Sequence, residues 1–274
     1  MLYCTGKDVV RILFDDTVKE INATEAMLAV AKALNYIDTR LVDHGERVAF
    51  IACKLLEAGN LPMNKKTLFL LSVFHDIGAY KTDEIDRMVE FETSGVLAHT
   101  RYGYLFIKYM TPLSDYAHVI LHHHTPWDTL ETLDFPGKDY AALIHLADRL
   151  DILFLNKDNS DLLHKLTPGT DKIFKDEYVQ LAAHCAQNTN LYEQLESGNY
   201  RQSIKEWVTQ LSFTSDEALE YLKMLAFSID FRSENTVTHT VNTVAIAVNL
   251  AQRFGLSEDE IRKIELGALL PDVG

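Results

Sequence analysis

The spacing of apolar residues is helical along most of the 274-residue chain. Apolar positions recur three and four residues apart, while sustained alternation of apolar and polar residues is scarce, so the sequence predicts an all-α fold. A loop is predicted over 125–138, which contains two prolines and a glycine. Gly59 is predicted to cap the second helix in the left-handed conformation. The predicted helices cover residues 26–37, 45–58, 65–74, 99–110, 115–123, 140–155, 176–187 and 190–211.

The end of the chain partly repeats an earlier segment. Residues 55–78 read LLEAGNLPMNKKTLFLLSVFHDIG, and residues 250–274 read LAQRFGLSEDEIRKIELGALLPDVG. We interpret this as a first domain with a helical extension over 1–212, followed over 213–274 by the opening helices of a second, incomplete or degenerate domain of the same kind. A gapless alignment pairs Gly59 with Gly255, His44 with Thr240, His75 with Pro271 and Asp76 with Asp272, and it leaves His239 one position before Thr240.

The net charge of the chain limits its partners. With 26 basic and 40 acidic residues the net charge is −14, which opposes binding to a nucleic-acid polymer or an anionic membrane. A small phosphorylated molecule stays compatible with this charge, because the local electrostatic field of a site decides its binding.

No apolar run approaches the roughly 20 residues of a membrane-spanning helix, and the N-terminus lacks a signal-peptide pattern. We therefore expect a cytoplasmic protein without membrane association.

The three cysteines, Cys4, Cys53 and Cys185, are scattered without the spacing of a zinc or disulfide framework. We expect them to be ordinary thiols of a reducing compartment. Cys53 lies in an apolar helical segment, so it is predicted to belong to the core.

Candidate chemistry comes from histidines and aspartates dispersed among the predicted helices. Neutral imidazole and carboxylate side chains gathered from several helices form sites for one or two divalent metals. Such a site points to metal-assisted hydrolysis. The candidate metal ligands are His44, His75, Asp76, His99, His123, His124 and Asp148.

The order and spacing of these residues resemble those of the HD superfamily of metal-dependent phosphohydrolases, and the HD-GYP branch most of all. The resemblance covers roughly residues 41–153 and includes the segments HGERVAFIA, LSVFHDIG, HTRYGYLFI, LHHHTPWD and IHLADRLDIL. It implies a helical HD-domain bundle, followed here by the start of a second HD-like repeat. It also implies hydrolysis of a nucleotide phosphoester, with cyclic dinucleotides such as cyclic di-GMP as the substrates of the branch.

Three departures from the HD-GYP pattern bear on substrate and activity. The HDIGK motif has Ala79 in place of its lysine, with Lys81 nearby. The HHE triplet reads His123-His124-Thr125 and therefore lacks its carboxylate. The GYP signature is absent, and the loop after Trp127 is short.

Phosphodiester hydrolysis requires a nucleophile at neutral pH and relief of charge on the phosphoryl oxygens, and divalent metals supply both. By the resemblance, Asp76 is the catalytic and bridging carboxylate. His44, His75 and Asp148 complete one metal, and His99, His123 and His124 complete the other. The mixed nitrogen and oxygen ligands favour iron or manganese, with zinc, nickel or magnesium as alternatives, and the site holds one or two ions.

Several assignments have a structural alternative. His122 replaces His123 as a ligand if the helix register differs by one residue, and adjacent histidines serve one metal only where the helix ends. His118 and His145 are read as packed or surface residues. Lys81 and Arg149 are candidate phosphate contacts, with Arg47 and Arg101 as further flanking cations, but each is equally compatible with an ordinary salt bridge.

Three functions remain open. The first is a phosphodiesterase acting on a nucleotide, and the second is a catalytically weak or inactive HD module that signals to a partner. A nucleoside phosphate hydrolase is the third. An exposed apolar surface on the last helices would additionally favour a homodimer.

Overall fold

The computed structural model describes Met27 and residues 43–79, 98–155, 172–230 and 237–269. The regular elements in these ranges are all helices, which confirms the predicted all-α fold class. The helix predicted over 26–37 and the candidate contact Lys81 fall outside the described residues, apart from Met27.

The described residues belong to two compact units, one of which contains those between 43 and 212. Its helices are α1 His44–Gly59, α2 Lys65–Val73, α3 Ala98–Met110, the 3-10 helix Ser114–Tyr116, α4 Ala117–His122, α5 Trp127–Leu130, α6 Lys138–Leu155, α7 Asp176–Asn188, α8 Leu191–Ser197 and α9 Tyr200–Gln210. In this unit α1 packs against both α2 and α6, and α3 packs against α4. α7 and α9 pack on α1 as well.

Two predicted elements differ from the observed ones. The loop predicted over 125–138 contains α5, whose first turn closes when Leu130 donates its backbone N–H to the Pro126 carbonyl at 2.8 Å. The helix predicted over 190–211 is divided into α8 and α9 at Gly198, which has a φ of 76°. A left-handed residue ends a helix, and glycine adopts that conformation without steric cost.

The second unit contains residues 213–269 and Met27 among those described. It comprises α10 Ser215–Asp230, α11 Val237–Arg253 and α12 Glu258–Leu269. α11 packs mainly on α12, as α1 does on α2 in the first unit.

The turns that end α1 and α11 have the same hydrogen-bond pattern. The left-handed residue after α1 is Asn60, with a φ of 45°, and not Gly59 as predicted. The left-handed residue after α11 is Gly255, with a φ of 66°. Leu61 donates to the Leu56 carbonyl at 3.1 Å, and Leu256 donates to the Ala251 carbonyl at 3.2 Å. The offset between these two turns is 195 residues, which would pair His44 with His239. A second domain of the same kind over 213–274 stays a prediction.

The core of the first unit includes many apolar residues from α1, α2 and α6. Fully buried side chains include Phe50, Leu55, Leu70 and Ile144. Cys53 is also fully buried and carries a free thiol, as expected for a core position. Among the described residues, no helix is both long and apolar enough to span a membrane.

Gly78 permits a close approach of two backbone segments. A Cβ atom at residue 78 would lie 2.0 Å from the His99 carbonyl oxygen and 2.6 Å from the Gly103 nitrogen. Both contacts are with backbone atoms, so a side chain could be accommodated only by moving α3 away. Glycine at this position therefore sets the distance between the turn after α2 and the start of α3.

We expect Gly78→Ala to lower the free energy of unfolding by about 1–3 kcal/mol, the usual cost of overpacking a core. Gly267→Ala is the matched control, because a Cβ atom there meets nothing within 4 Å. Because glycine destabilises a helix relative to alanine, Gly267→Ala should raise the free energy of unfolding by about 0.5–1 kcal/mol. Urea unfolding with a chelator present measures both effects, and equal stability of the two variants would contradict the steric role of residue 78.

Candidate metal centre

Three side chains from separate helices form a first group of potential metal ligands. His44 begins α1, His75 follows the end of α2, and Asp148 lies within α6. One ligand atom from each lies within 4.8 Å of the others. The Asp148 Oδ1 atom is 3.3 Å from His44 Nε2 and 4.0 Å from His75 Nε2. All three residues are buried.

A second group of four potential ligands adjoins the first and consists of Asp76, His99, His123 and His124. His99 is in the first turn of α3, and the two adjacent histidines follow the last residue of α4. The ring centroids of His123 and His124 are 4.0 Å apart. Because α4 ends at His122, both rings turn toward the same point, which a continuous helix would prevent.

The carboxylate of Asp76 lies between the two groups. Its Oδ2 atom is 3.1 Å from His75 Nε2 and 3.6 Å from His44 Nε2. Its Oδ1 atom is 3.4 Å from His123 Nε2 and 3.6 Å from His99 Nε2. Each oxygen therefore faces a different group, which is the arrangement of a carboxylate that bridges two ions.

Three histidines near this cluster are outside both groups. The His122 ring stacks on Phe135, with centroids 5.1 Å apart, and His118 packs against the same phenylalanine at 5.8 Å. His145 is buried between His124 and Phe174, whose ring centroids are 5.9 and 4.9 Å from its own. His123, rather than His122, is therefore the residue at the cluster.

Six of the atoms that face the centre have no hydrogen-bond partners, although they are buried. Unpaired buried polar atoms are rare in folded proteins, because their desolvation is not compensated. Lone pairs from neutral imidazoles and carboxylates together supply what a divalent cation requires. The residues present thus fit a divalent metal. The atoms without partners are His44 Nε2, His75 Nε2, His99 Nε2, His123 Nε2 and both carboxylate oxygens of Asp76.

The other ring nitrogen of two histidines is held by the backbone. His75 Nδ1 is 2.7 Å from the Ser72 carbonyl oxygen, and His123 Nδ1 is 2.7 Å from the Ile120 carbonyl oxygen. A carbonyl oxygen only accepts, so Nδ1 carries the hydrogen in each ring. In the neutral imidazole Nε2 then has the free lone pair, and it points to the centre as in known metal sites.

Asp151 performs the same role for His44 and was not found by the sequence analysis. Its Oδ2 atom accepts from His44 Nδ1 at 2.7 Å, and its two oxygens accept from Arg47 Nη2 at 3.0 Å and Nε at 2.6 Å. Arg47 is therefore paired inside the protein. The available signal was spacing, because Asp151 follows Asp148 by three residues and shares its helix face.

Three carboxylates, from Asp76, Asp148 and Asp151, surround His44 and concentrate negative charge there. Burial by itself raises the pKa of a carboxyl group, but the adjacent histidines, His75 first, hold the pKa of Asp76 well below its usual range. The same centre raises the pKa of His44 well above its usual value despite burial, because Asp148, Asp151 and Asp76 all stabilise its cation. The carboxylates therefore favour positive charge at this position, whether a proton or a metal ion supplies it.

The second group is electrostatically different. Burial lowers the pKa of His99 to about 4, and burial with the neighbouring His123 lowers the pKa of His124 well below its usual value. Both rings are neutral at pH 7 and keep their lone pairs available. His124 and Asp76 are also the two members of the group whose residues are partly exposed, although both carboxylate oxygens of Asp76 are buried.

Arg149 contacts a candidate ligand. Its guanidinium donates to Asp148 Oδ2 from Nε at 3.0 Å and from Nη2 at 2.8 Å, and its side chain is buried. This contact fixes the orientation of the Asp148 carboxylate within the first group. A contact between Arg149 and substrate phosphate stays a prediction.

Comparison with known proteins places the centre in a family. The family model described as HD domain matches residues 41–153, which contain all seven candidate ligands. This segment of the chain therefore matches the HD-domain family, whose members bind divalent metals.

The chain is similar to a Vibrio cholerae protein named 3'3'-cGAMP-specific phosphodiesterase 1. The two are 23% identical over 275 residues, which cover 93% of this chain and 63% of that protein. The chain thus spans less than two thirds of the length of this relative. A crystal structure of a cyclic GMP-AMP specific phosphodiesterase of V. cholerae has the same fold, with a TM-score of 0.64 at 16% identity, and the match covers 92% of this chain and 70% of that one.

We expect Asp151→Asn to weaken metal binding about 10- to 100-fold, the usual effect of removing a carboxylate that orients a ligating histidine. Asp139→Asn is the matched control, since Asp139 begins the same helix and accepts from Lys175 at 2.9 Å and Tyr178 at 3.2 Å. Competition with a chromophoric chelator measures both affinities. If the two variants bind metal equally well, Asp151 has no orienting role.

Proposed function

We propose that the chain is a metal-dependent phosphodiesterase that acts on a cyclic dinucleotide. The observation that carries the proposal is the pair of ligand groups with the Asp76 carboxylate between them, one oxygen facing each group. The relatives are named as phosphodiesterases specific for cyclic GMP-AMP, and these names support a cyclic dinucleotide as the substrate.

In the proposed mechanism the chain supplies two adjacent positions for cations. His44, His75 and Asp148 would hold the first cation, and His99, His123 and His124 would hold the second. When bound, a pair of divalent ions would lower the pKa of water and offset the charge on phosphate oxygens. Asp76 has one carboxylate oxygen toward each group of ligands and would contribute to both positions.

The ligand types favour iron or manganese. Five imidazoles and two carboxylates form a nitrogen-rich shell, whereas magnesium prefers oxygen ligands. Zinc and nickel also accept imidazole, and the site allows one ion as well as two. Metal analysis of protein purified without chelators distinguishes these cases, and magnesium as the sole bound metal would contradict the preference.

A non-catalytic HD module is the second candidate, and two positions favour it. Residue 79 is a buried alanine. The chain therefore has no cationic side chain at the position where the HDIGK motif has lysine. Thr125 replaces the carboxylate of the HHE triplet, and its hydroxyl lies 3.3 Å from His122 Nδ1. Such a module would bind metal or nucleotide without turnover.

We expect the metal-loaded chain to open cyclic GMP-AMP or cyclic di-GMP, with one phosphodiester bond broken by water and a linear dinucleotide as product. Asp76→Ala should reduce the rate at least about 100-fold, because even indirect disturbance of a metal ligand costs 10- to 100-fold. Asp134→Ala, at an exposed loop position, is the control and should keep full activity.

Chromatography of the products, with nucleoside mono- and triphosphates as parallel substrates, separates the candidates. Turnover of nucleoside phosphates alone would replace the cyclic dinucleotide as substrate. Bound metal without any turnover would contradict the enzyme and favour the signalling module.

We further propose that two chains pair through the second unit. Ile246 and Leu250 on α11 and Phe254 directly after it are 61, 48 and 47% exposed, although they recur every four residues as a buried helix face does. A monomer in sedimentation velocity at high protein concentration would contradict this pairing. The cytoplasmic location stays a prediction.

A further inference from the structure

The residue before the first candidate ligand has an unusual backbone conformation. Asp43 has a φ of 60° and a ψ of 10°, in the left-handed region. Residues other than glycine adopt this region seldom and at a steric cost. Asp43 stands at the N-cap of α1, and the next residue is His44. The direction in which His44 enters the cluster therefore depends on how Asp43 is held.

The Asp43 side chain does not cap its own helix. An aspartate at this position commonly accepts from backbone N–H groups of the first turn, but no such bond is present. The Tyr200 hydroxyl donates to Asp43 Oδ2 at 3.1 Å, and the Arg201 guanidinium forms an ion pair with the same oxygen. Both partners belong to the first turn of α9, 157 and 158 residues along the chain.

A second connection runs from Tyr200 to the opposite side of the same imidazole. Tyr200 lies near the Arg47 side chain and is one of the groups that raise the pKa of its guanidinium. Arg47 in turn donates to Asp151, which accepts from His44 Nδ1 at 2.7 Å. The hydroxyl of Tyr200 thus contacts the carboxylate that precedes His44, and the Tyr200 side chain lies near the arginine that holds the aspartate orienting this histidine.

Tyr200 is itself fixed in place. Its side chain is buried, and its ring lies 5.9 Å from that of Phe50 on α1. Trp207 lies about two helical turns further along α9. Its ring stacks on that of Phe50, with ring centroids 5.8 Å apart. The hydroxyl is therefore presented by a rigid contact between α9 and α1.

We propose that Tyr200, outside the HD-domain match over 41–153, is a positioning residue for the metal site formed by His44, His75 and Asp148. The helical extension then completes the centre that the HD segment begins. This inference rests on the proposed metal centre and adds a residue that the HD motifs do not contain.

The test is manganese binding by the full chain with Tyr200→Phe, which removes the hydroxyl and keeps the ring against Phe50. Tyr178→Phe is the matched control, because it removes a hydroxyl that donates to Asp139 and not to a residue near the centre. Asp139 precedes Asp148 on α6 by about 13 Å of helix rise. Arg201→Gln is a second variant at a largely exposed side chain. Equilibrium titration gives the affinities, and electron paramagnetic resonance distinguishes a coupled manganese pair from an isolated ion.

We expect Tyr200→Phe to weaken one of the two manganese sites about tenfold, at the lower end of the effect of outer-shell changes. At limiting manganese the coupled signal should give way to that of an isolated ion, with a smaller change for Arg201→Gln and none for Tyr178→Phe. The unfolding midpoint of the chelated Tyr200→Phe protein should match that of Tyr178→Phe, which separates positioning from general stability.

Wild-type and Tyr200→Phe proteins with the same two affinities would overturn the positioning role and leave the proposed function intact. Equal weakening of both sites together with a lower unfolding midpoint would also overturn it, because a purely structural loss has that signature. A wild-type chain that binds no manganese, iron or zinc would contradict the proposed function itself.

Discussion

Uncompensated polar atoms in the interior are the constraint on which the rest of this structure depends. Four imidazole nitrogens and both oxygens of Asp76 are buried, face one another and have no hydrogen-bond partners. The folded state can tolerate such a cluster only if a cation balances it or if protons bind in its place. The surrounding carboxylates, which raise the pKa of His44, favour a proton there, and a divalent metal would supply the cation instead.

The helix ends give the cluster its geometry. His44 begins a helix, His99 lies in the first turn of another, and His75 and His123 each follow the end of one. At a helix end the backbone can turn, so neighbouring residues point in directions that a continuous helix forbids. Asp148 is the exception within α6, and there a buried arginine, Arg149, fixes its carboxylate. Close backbone contact at Gly78 brings these ends together.

Sequence reasoning recovered what local pattern determines. The spacing of apolar residues predicted the helices. The order of histidines and aspartates predicted both groups of side chains that the fold brings together. Their role as metal ligands stays a proposal. The Asn60 turn and the break at Gly198 were missed, because the choice between neighbouring left-handed positions depends on packing. Tyr200 carries no local signal at all, since it is 157 residues from its partner Asp43. Long-range hydrogen bonds of this kind are set by tertiary structure, and one sequence does not reveal them.

The central claim is that seven side chains form two adjacent cation sites that share Asp76. Elemental analysis of anaerobically purified wild-type, His44→Ala and His99→Ala proteins tests it most directly. The account predicts close to two iron or manganese ions per wild-type chain and close to one in each variant, because each substitution removes a ligand from a different group. A single ion in the wild-type chain that either substitution abolishes would contradict it.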